Sequence, residues 1–524
     1  MIDIPEDIKA EYTVEADKVE TDITVLERSE DHVPRYFVDY PEFEEATKTV
    51  LDDVKEEITR SLDIEEREIL DPKSMEKIKN EFLETSKEVV GNFFPKLSEE
   101  RIEVLAGRLT HEMYGLGRLE ILLRDDDLEE LVVNSSDEPV WVYHKEFGWL
   151  KTDISIGSEG KIYNYSSVIG RRVGKQITNL QPLLDAHLPS GDRVNATLFP
   201  ISTQGNTITI RKFARNPWTV THFIDPELGT LSKELAALMW LSIQYEMNML
   251  IAGGTASGKT ALLNTLTPFI PPNQRIVTIE DTRELNLPQY LHWVPMTTRE
   301  ANPEGKGEVS MLDLMVNSLR MRPDRIMVGE IREKKQAEVL FEAMLTGHSV
   351  YATLHANTAQ EVKRRMANPP INIPKTMLES LHLTCVQYRD RRTGIRRTRE
   401  LAELVPKSKR KGEGVDLNVR TLYRWKPDTD TFEKVRESER LIGEIKDHTS
   451  MSEKEIQENL REKEKVLEWF LENDLKTTNS VGKIVAEYYN NKGKVLDLVR
   501  DNAGPDKLLT EDVIKEMKKR GLRD

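Results

Sequence analysis

With 524 residues, 38% hydrophobic and 32% charged, the chain has room for two or three domains and a sizeable core. Its one cysteine, Cys385, excludes an internal disulfide and any Cys-rich zinc site, and no window approaches 18 consecutive apolar residues, so no membrane span is expected. The net charge of −16 is unevenly placed: residues 1–100 hold 13 basic and 30 acidic side chains, net −17, which sets the amino-terminal hundred apart.

The start, Met1-Ile2-Asp3-Ile4-Pro5-Glu6, lacks a basic n-region and an apolar h-region, so a cytoplasmic chain is expected. Residues 1 to about 40 are acidic with little periodicity, which predicts an extended or partly ordered arm. From Pro41 to Leu97 the spacing of Val50, Val54, Ile58, Ile78 and Phe82 predicts an acidic helical bundle. Ser98, ahead of Glu99-Glu100, is placed to N-cap a further helix. Gly115-Leu116-Gly117 ends that helix, and two short strands follow, Leu131–Asn134 and Val140–Tyr143. A helix over about Gly160–Arg172 precedes two alternating segments, Arg193–Phe199 and Asn206–Arg211, as in half-buried strands. The divisions expected are therefore 1–100, an α+β domain over 101–216, a Pro/Gly hinge over 217–231, a nucleotide domain over 232–435 and a helical tail over 436–524.

Within the nucleotide domain Ser232 is placed to cap a buried helix through Leu235–Ile243. Asn248–Ala252 is an apolar strand that runs into Gly253-Gly254-Thr255-Ala256-Ser257-Gly258-Lys259-Thr260 and then the helix Ala261–Leu266. This is a P-loop: backbone N–H groups surround the α/β-phosphates, Lys259 reaches the β/γ-phosphates, and the Thr260 hydroxyl holds Mg²⁺. Three further apolar strands end in polar residues: Ile276–Ile279 in Glu280-Asp281, Ile326–Val328 in Gly329-Glu330, and Ser349–Leu354 in His355. In an open parallel sheet the ligand crevice lies at the carboxyl ends of the strands, so these groups should converge on the phosphates of ATP.

Nucleotide hydrolysis requires a metal site, a group that orients water, and cations for the developing charge. Thr260 and Glu330 supply the first, Glu330 directly or through water. Glu280, Asp281 and Glu284 form a carboxylate cluster with Glu284 as water activator. His348 and His355 flank one strand, placed to sense the γ-phosphate or a neighbouring subunit. Arg193, Arg211, Arg320 and Arg332 are candidate arginine fingers.

These motifs together resemble the secretion ATPase superfamily of type II and type IV systems, most of all its archaeal branch of archaellum motors and pilus or secretion ATPases. The resemblance covers about residues 112–435. It is carried by Tyr114-Gly115-Leu116-Gly117-Arg118-Leu119, Leu188-Pro189-Ser190-Gly191-Asp192-Arg193-Val194, Ile210-Arg211-Lys212-Phe213, the P-loop, the Asp box Ile279–Leu285, the Walker B Val328–Arg332 and the His box Thr346–Asn357. It implies an α/β chain: a RecA-like P-loop motor domain with an α+β amino-terminal domain and an acidic helical amino-terminal extension. It further implies a homo-hexameric ring, amino-terminal arginines that reach the nucleotide, and docking on a polytopic membrane platform protein at the inner face of the membrane. The lone cysteine excludes the four-cysteine zinc module of bacterial relatives, and Glu333-Lys334-Lys335-Gln336 departs from the small glycine-containing stretch usual after the Walker B.

A RecA-like nucleic-acid translocase is the main rival class. Phosphate-backbone binding requires clustered Lys and Arg, and the one dense run, Arg389–Arg399, suits subunit contacts or an anionic membrane surface, so no nucleic acid is expected. A small-molecule P-loop kinase is disfavoured by size and the absence of a lid.

Overall fold

The computed structural model describes residues 6–28, 31–41, 45–62, 75–188, 190–214, 216–301, 305–407 and 416–521. Residues 1–5, residues 63–74 of the expected bundle and Pro189 of the quoted motif lie outside them. The chain divides into two compact units, Met1–Arg215 and Asn216–Asp524.

The first unit is built on a nine-stranded sheet ordered β1-β2-β3-β6-β5-β4-β9-β8-β7. Its strands are β1 (Glu6–Ala16), β2 (Val19–Arg28), β3 (Arg35–Asp39), β4 (Leu128–Val133), β5 (Pro139–His144), β6 (Gly148–Ser155), β7 (Leu183–His187), β8 (Arg193–Thr197) and β9 (Thr207–Arg211). All neighbours pair antiparallel except β3 with β6. Leu119, Leu122, Ile162 and Ile169, from helices Leu119–Arg124 and Glu159–Arg172, share a core with Leu131, Val142 and Ile210 of the sheet. The opposite face carries Arg193, Arg211, Tyr143 and Trp149, which stand across from one another in successive strand pairs through Glu130.

The amino terminus is not the extended or partly ordered arm expected, because β1, β2 and β3 form a three-stranded meander. Alternation over residues 11–16 of β1 is regular, with Tyr12, Val14 and Ala16 turned inward and Glu11, Thr13 and Glu15 turned out, so the acidic side chains there sit on the solvated face. The hairpin turns on Asp17 and Lys18, at φ 49° and 70°, the geometry of a type I′ turn usually marked by Asn-Gly or Asp-Gly. Tyr12 and Tyr36 then donate to the same Asp125 oxygen at 2.7 and 2.6 Å, which fastens the meander to the rest of the unit. The helices Glu45–Ser61, Met75–Phe93 and Glu99–Met113 pack through Val54, Ile58, Phe82, Val90 and Leu109. Ser98 occupies the N-cap position of the third, but its side chain makes no capping bond.

The second unit is built on another nine-stranded sheet, ordered β12-β11-β13-β14-β10-β15-β16-β17-β18. Six strands are parallel: β10 (Met249–Gly253), β11 (Arg275–Glu280), β12 (His292–Thr297), β13 (Arg325–Val328), β14 (Ser349–Leu354) and β15 (Leu383–Arg389). β16 (Arg396–Lys407), β17 (Asp416–Lys426) and β18 (Thr431–Lys434) continue the sheet antiparallel. Both faces of its central strands are covered. Met249 and Ile251 enter a core with helix Lys233–Gln244, while Leu250 and Ala252 enter another with helices Met311–Ser318 and Lys334–Leu345. Burial on both sides explains the unbroken apolar runs of the four strands expected here. Ser232 accepts the Leu235 N–H at 3.2 Å and caps the buried helix.

The tail helices Glu453–Glu472 and Thr478–Asn490 send Trp469, Phe470, Val481 and Tyr488 into the same core as Met249, Leu262 and Trp240. Trp240 stacks on Phe269 at 5.0 Å and donates to the Tyr489 hydroxyl, which donates in turn to the Phe269 carbonyl. Among the described residues no helix is long and apolar enough to cross a membrane.

Candidate nucleotide site

The register of the parallel strands aligns their carboxyl ends. Ala252 lies beside Leu354, Ile279 beside Val328, and Gly253 beside Gln387. The residues that follow, Gly254, Glu280-Asp281, Gly329-Glu330 and His355, therefore emerge along one edge of the sheet. The loop after β10 is shaped by its small residues. A Cβ on Gly253 would stand 2.3 Å from Ser257 Oγ and 2.6 Å from the Gln387 carbonyl, and Gly258 begins the helix Lys259–Thr265 at φ 88°. A side chain at either position would collide or strain the turn.

A chain of polar contacts crosses this edge. Lys259 Nζ donates to the Gly254 carbonyl at 3.0 Å and lies 3.4 Å from His355 Nδ1. His355 Nε2 is 3.0 Å from Glu330 Oε1. Arg332 spans the gap to the next strand, 2.8 Å from Glu330 Oε2 and 2.8 Å from Asp281 Oδ2. A charged lysine has only protons to give, so Nδ1 accepts and the His355 proton sits on Nε2 toward the carboxylate. Burial alone would push Glu330 up, but the Arg332 hydrogen bond, with His355 and Lys259 nearby, holds it below the ordinary glutamate value. Burial draws Lys259 down, against the attraction of Glu330 and Glu284.

Glu280 has a different part. Buried at the end of β11, it accepts the backbone N–H groups of Glu284 and Leu285 at 2.9 and 3.1 Å through Oε1, and so folds the segment that carries Glu284. Its other oxygen has no partner among the described residues. Burial pushes its carboxyl up to about 7, against those two N–H groups.

Of the residues singled out from sequence, the fold gathers Gly253 to Thr260, Glu280, Asp281, Glu284, Glu330, Arg332 and His355 along one edge. His348 stands at the other end of β14, roughly 20 Å of strand away, where its Nδ1 lies 3.1 Å from Thr346 Oγ1 and 3.2 Å from the Ala343 carbonyl. Arg193 and Arg211 pair across β8 and β9 in the first unit, Arg193 with its guanidinium 2.7 Å from Asp185. Arg320 follows helix Met311–Ser318, its N–H bonded to the Asn317 carbonyl. Two contributors went unrecognised in the sequence: Arg396, whose Nε donates to the Ala256 carbonyl at 3.2 Å, and Arg365, whose guanidinium holds the His355 carbonyl. Neither belongs to a motif, and only the return of the chain through β15 and β16 brings Arg396 to the loop.

A mostly parallel sheet covered on both faces, with a glycine-rich loop between its β10 strand and the next helix, defines a P-loop protein of RecA-like architecture. The family described as type II/IV secretion system protein matches residues 161–408. The chain is 37% identical over 338 residues to an uncharacterized protein of Methanocaldococcus jannaschii, an alignment covering 64% of this chain and 60% of that relative. It is 31% identical to the type IV secretion system protein PtlH of Bordetella pertussis, over 47% of this chain and 77% of PtlH. The chain belongs to the type II/IV secretion ATPase superfamily, and its M. jannaschii relatives fit the archaeal branch. The X-ray structure of the Legionella pneumophila ATPase DotB aligns at 20% identity over 73% of this chain and 94% of its own, with a TM-score of 0.40. The chain spans about three fifths of the length of the M. jannaschii relative.

Proposed function

We propose that the chain hydrolyses ATP with Mg²⁺ as one subunit of a homo-hexamer that powers assembly of, or export through, an archaeal pilus-like machine. The observation that carries this reading is the unbroken chain from Lys259 through His355, Glu330 and Arg332 to Asp281, which ties a phosphate loop to carboxylates on two neighbouring strands. The backbone from Gly253 to Thr260 cradles the phosphates and Lys259 meets their charge. Among the described residues no group of three or more His, Cys, Asp or Glu forms a metal site. Mg²⁺ binds through one or two protein ligands, phosphates and water, and here those ligands would be Thr260 and Glu330. The ion neutralises charge on the β- and γ-oxygens when bound.

Glu284 orients the attacking water, Glu280 fixes the backbone of the segment that carries it, and Asp281 holds Arg332. His355, joined to both Lys259 and Glu330, responds to loss of the γ-phosphate, while His348 at the far strand end suits a subunit contact. Arg193 or Arg211 reaches nucleotide from the amino-terminal unit, with residues 217–231 as hinge. The ring works in the cytoplasm against a polytopic platform protein and the anionic inner membrane surface. Lys259→Ala tests the site: phosphate release should fall to background, and unchanged turnover would refute it. Stimulation of turnover by DNA and not by anionic vesicles would point to a translocase instead.

A further inference from the structure

The β15–β16 hairpin extends past the end of the phosphate-loop strand. Gly253, the last residue of β10, is registered with Gln387, so Tyr388 and Arg389, the turn 390–395 and Arg396 all lie beyond the point where the loop begins. Arg396 returns along the loop. Its Cδ lies 3.6 Å from the position a Cβ on Gly258 would take, and its Nε donates to the Ala256 carbonyl at 3.2 Å. Ala256 is a non-glycine residue at φ 57°, so the loop crown stands in the left-handed region.

The other cations near this edge are already engaged. Lys259 is bonded to Gly254 and faces His355, Arg332 bridges Glu330 and Asp281, and Arg397 grips Asp430 through two bonds of 2.7 and 2.6 Å. Arg396 uses one donor of its fork, on a carbonyl, and pairs with no carboxylate among the described residues. Its two terminal amino groups are thus spare donors of full positive charge beside a loop built to surround phosphate. A guanidinium fork matches two phosphate oxygens as an ammonium does not.

We propose that Arg396 is a second phosphate-binding cation of this site: it holds the loop through the Ala256 carbonyl and offers its terminal amino groups to a phosphate oxygen of bound nucleotide. This rests on the nucleotide reading given above and extends it to a part of the chain outside every motif. The contact lies within one subunit, which separates it from the arginines of the amino-terminal unit. The basic run is thereby divided in its duties. Arg396 serves nucleotide, Arg397 holds the fold through Asp430, and Arg391 and Arg392 point to solvent.

The test is equilibrium binding of a fluorescent ADP analogue to the full chain, with displacement by inorganic pyrophosphate. Arg396→Gln should weaken both by about tenfold, as expected for a charge-assisted bond, with an unchanged melting temperature. Arg396→Lys should recover part of the loss, and Arg392→Gln on the same hairpin should bind as the unaltered protein does. Unaltered affinity in Arg396→Gln, where Lys259→Ala loses binding, would overturn the assignment and leave the nucleotide site standing. Weakened ADP binding with unaltered pyrophosphate displacement would move the contact to the nucleoside and overturn it as a phosphate ligand. Unaltered binding in Lys259→Ala would remove the nucleotide site itself, and this inference with it.

Discussion

The two nine-stranded sheets of this protein solve opposite problems. In the second unit the central strands are buried on both faces, so their side chains serve packing and chemistry is confined to the ends, where Gly254, Glu280, Glu330 and His355 emerge together. In the first unit one face is covered and the other is open, so polar chemistry is spread along the strands, with Arg193, Arg211 and Glu130 standing abreast on three successive strands toward one edge of the sheet. A parallel sheet makes a point-like site, and an antiparallel one presents a surface.

Four experiments test this contrast. The largest effect should come from the strand ends: Glu330→Gln and Glu284→Gln are expected to retain nucleotide binding while turnover falls by about a thousandfold, since on the proposed function each removes charge for metal or water handling. Loss of binding by a fluorescent nucleotide in both would show that the end residues build the cradle instead.

On the open face, Arg211→Ala should lower turnover by about a hundredfold if this arginine meets the nucleotide of a neighbouring subunit. Mixed rings of Arg211→Ala and Lys259→Ala subunits should then recover activity, because each keeps what the other lacks. Rings shown by light scattering to be mixed, yet no more active than Arg211→Ala alone, would return the arginine to its own subunit.

Within the first unit, Asp125→Ala removes the acceptor shared by Tyr12 and Tyr36. Leaving this pair of hydroxyls without its charged acceptor should cost about 3 kcal/mol of stability in chemical denaturation. Nucleotide affinity should be untouched, and a parallel loss of affinity would show that Asp125 does more than anchor the meander.

The smallest effect concerns Glu280. Its carboxyl is pushed up to about 7 by burial, from an ordinary value of 4.5. Across that window the folded protein keeps a proton that the unfolded chain releases, so this group's contribution to stability is present at low pH and declines as pH rises toward 7. Glu280→Gln should remove that decline, a difference of about 2 kcal/mol between pH 5 and pH 7.5 in urea denaturation. Identical pH slopes for both proteins would show a carboxylate ionised throughout.

The parallel half was legible from sequence because its signals are contiguous. The apolar strands and the acidic or glycine-rich residues directly after them announce both sheet and site, and Ser232 announces the helix it caps. What escaped was non-contiguous or chemically atypical. The β1–β2 hairpin turns on Asp17-Lys18 in place of a glycine turn, and its acidic outer face masks an alternation that buries Val14, Ala16 and Val19. Arg396 reaches the loop only through strand pairing across β15 and β16, which local sequence does not encode. The tail has readable apolar faces at Trp469-Phe470-Leu471 and Val481–Tyr489, but their common destination on Trp240 and Phe269 is a tertiary fact.

That destination has a mechanical side. Lys463, in the tail helix Glu453–Glu472, is fully buried, held by Asn459 and set over the rings of Trp240 and Tyr488 at 5.2 and 5.0 Å. The helix bearing Trp240 leads directly into the phosphate-loop strand. A pull on the tail cannot be taken up by peeling one helix from the surface, because that would strip the Lys463 amine of Asn459 and of the faces of Trp240 and Tyr488 at once. Tail and phosphate loop are seated in one block, and a strain applied to the first is felt at the root of the second.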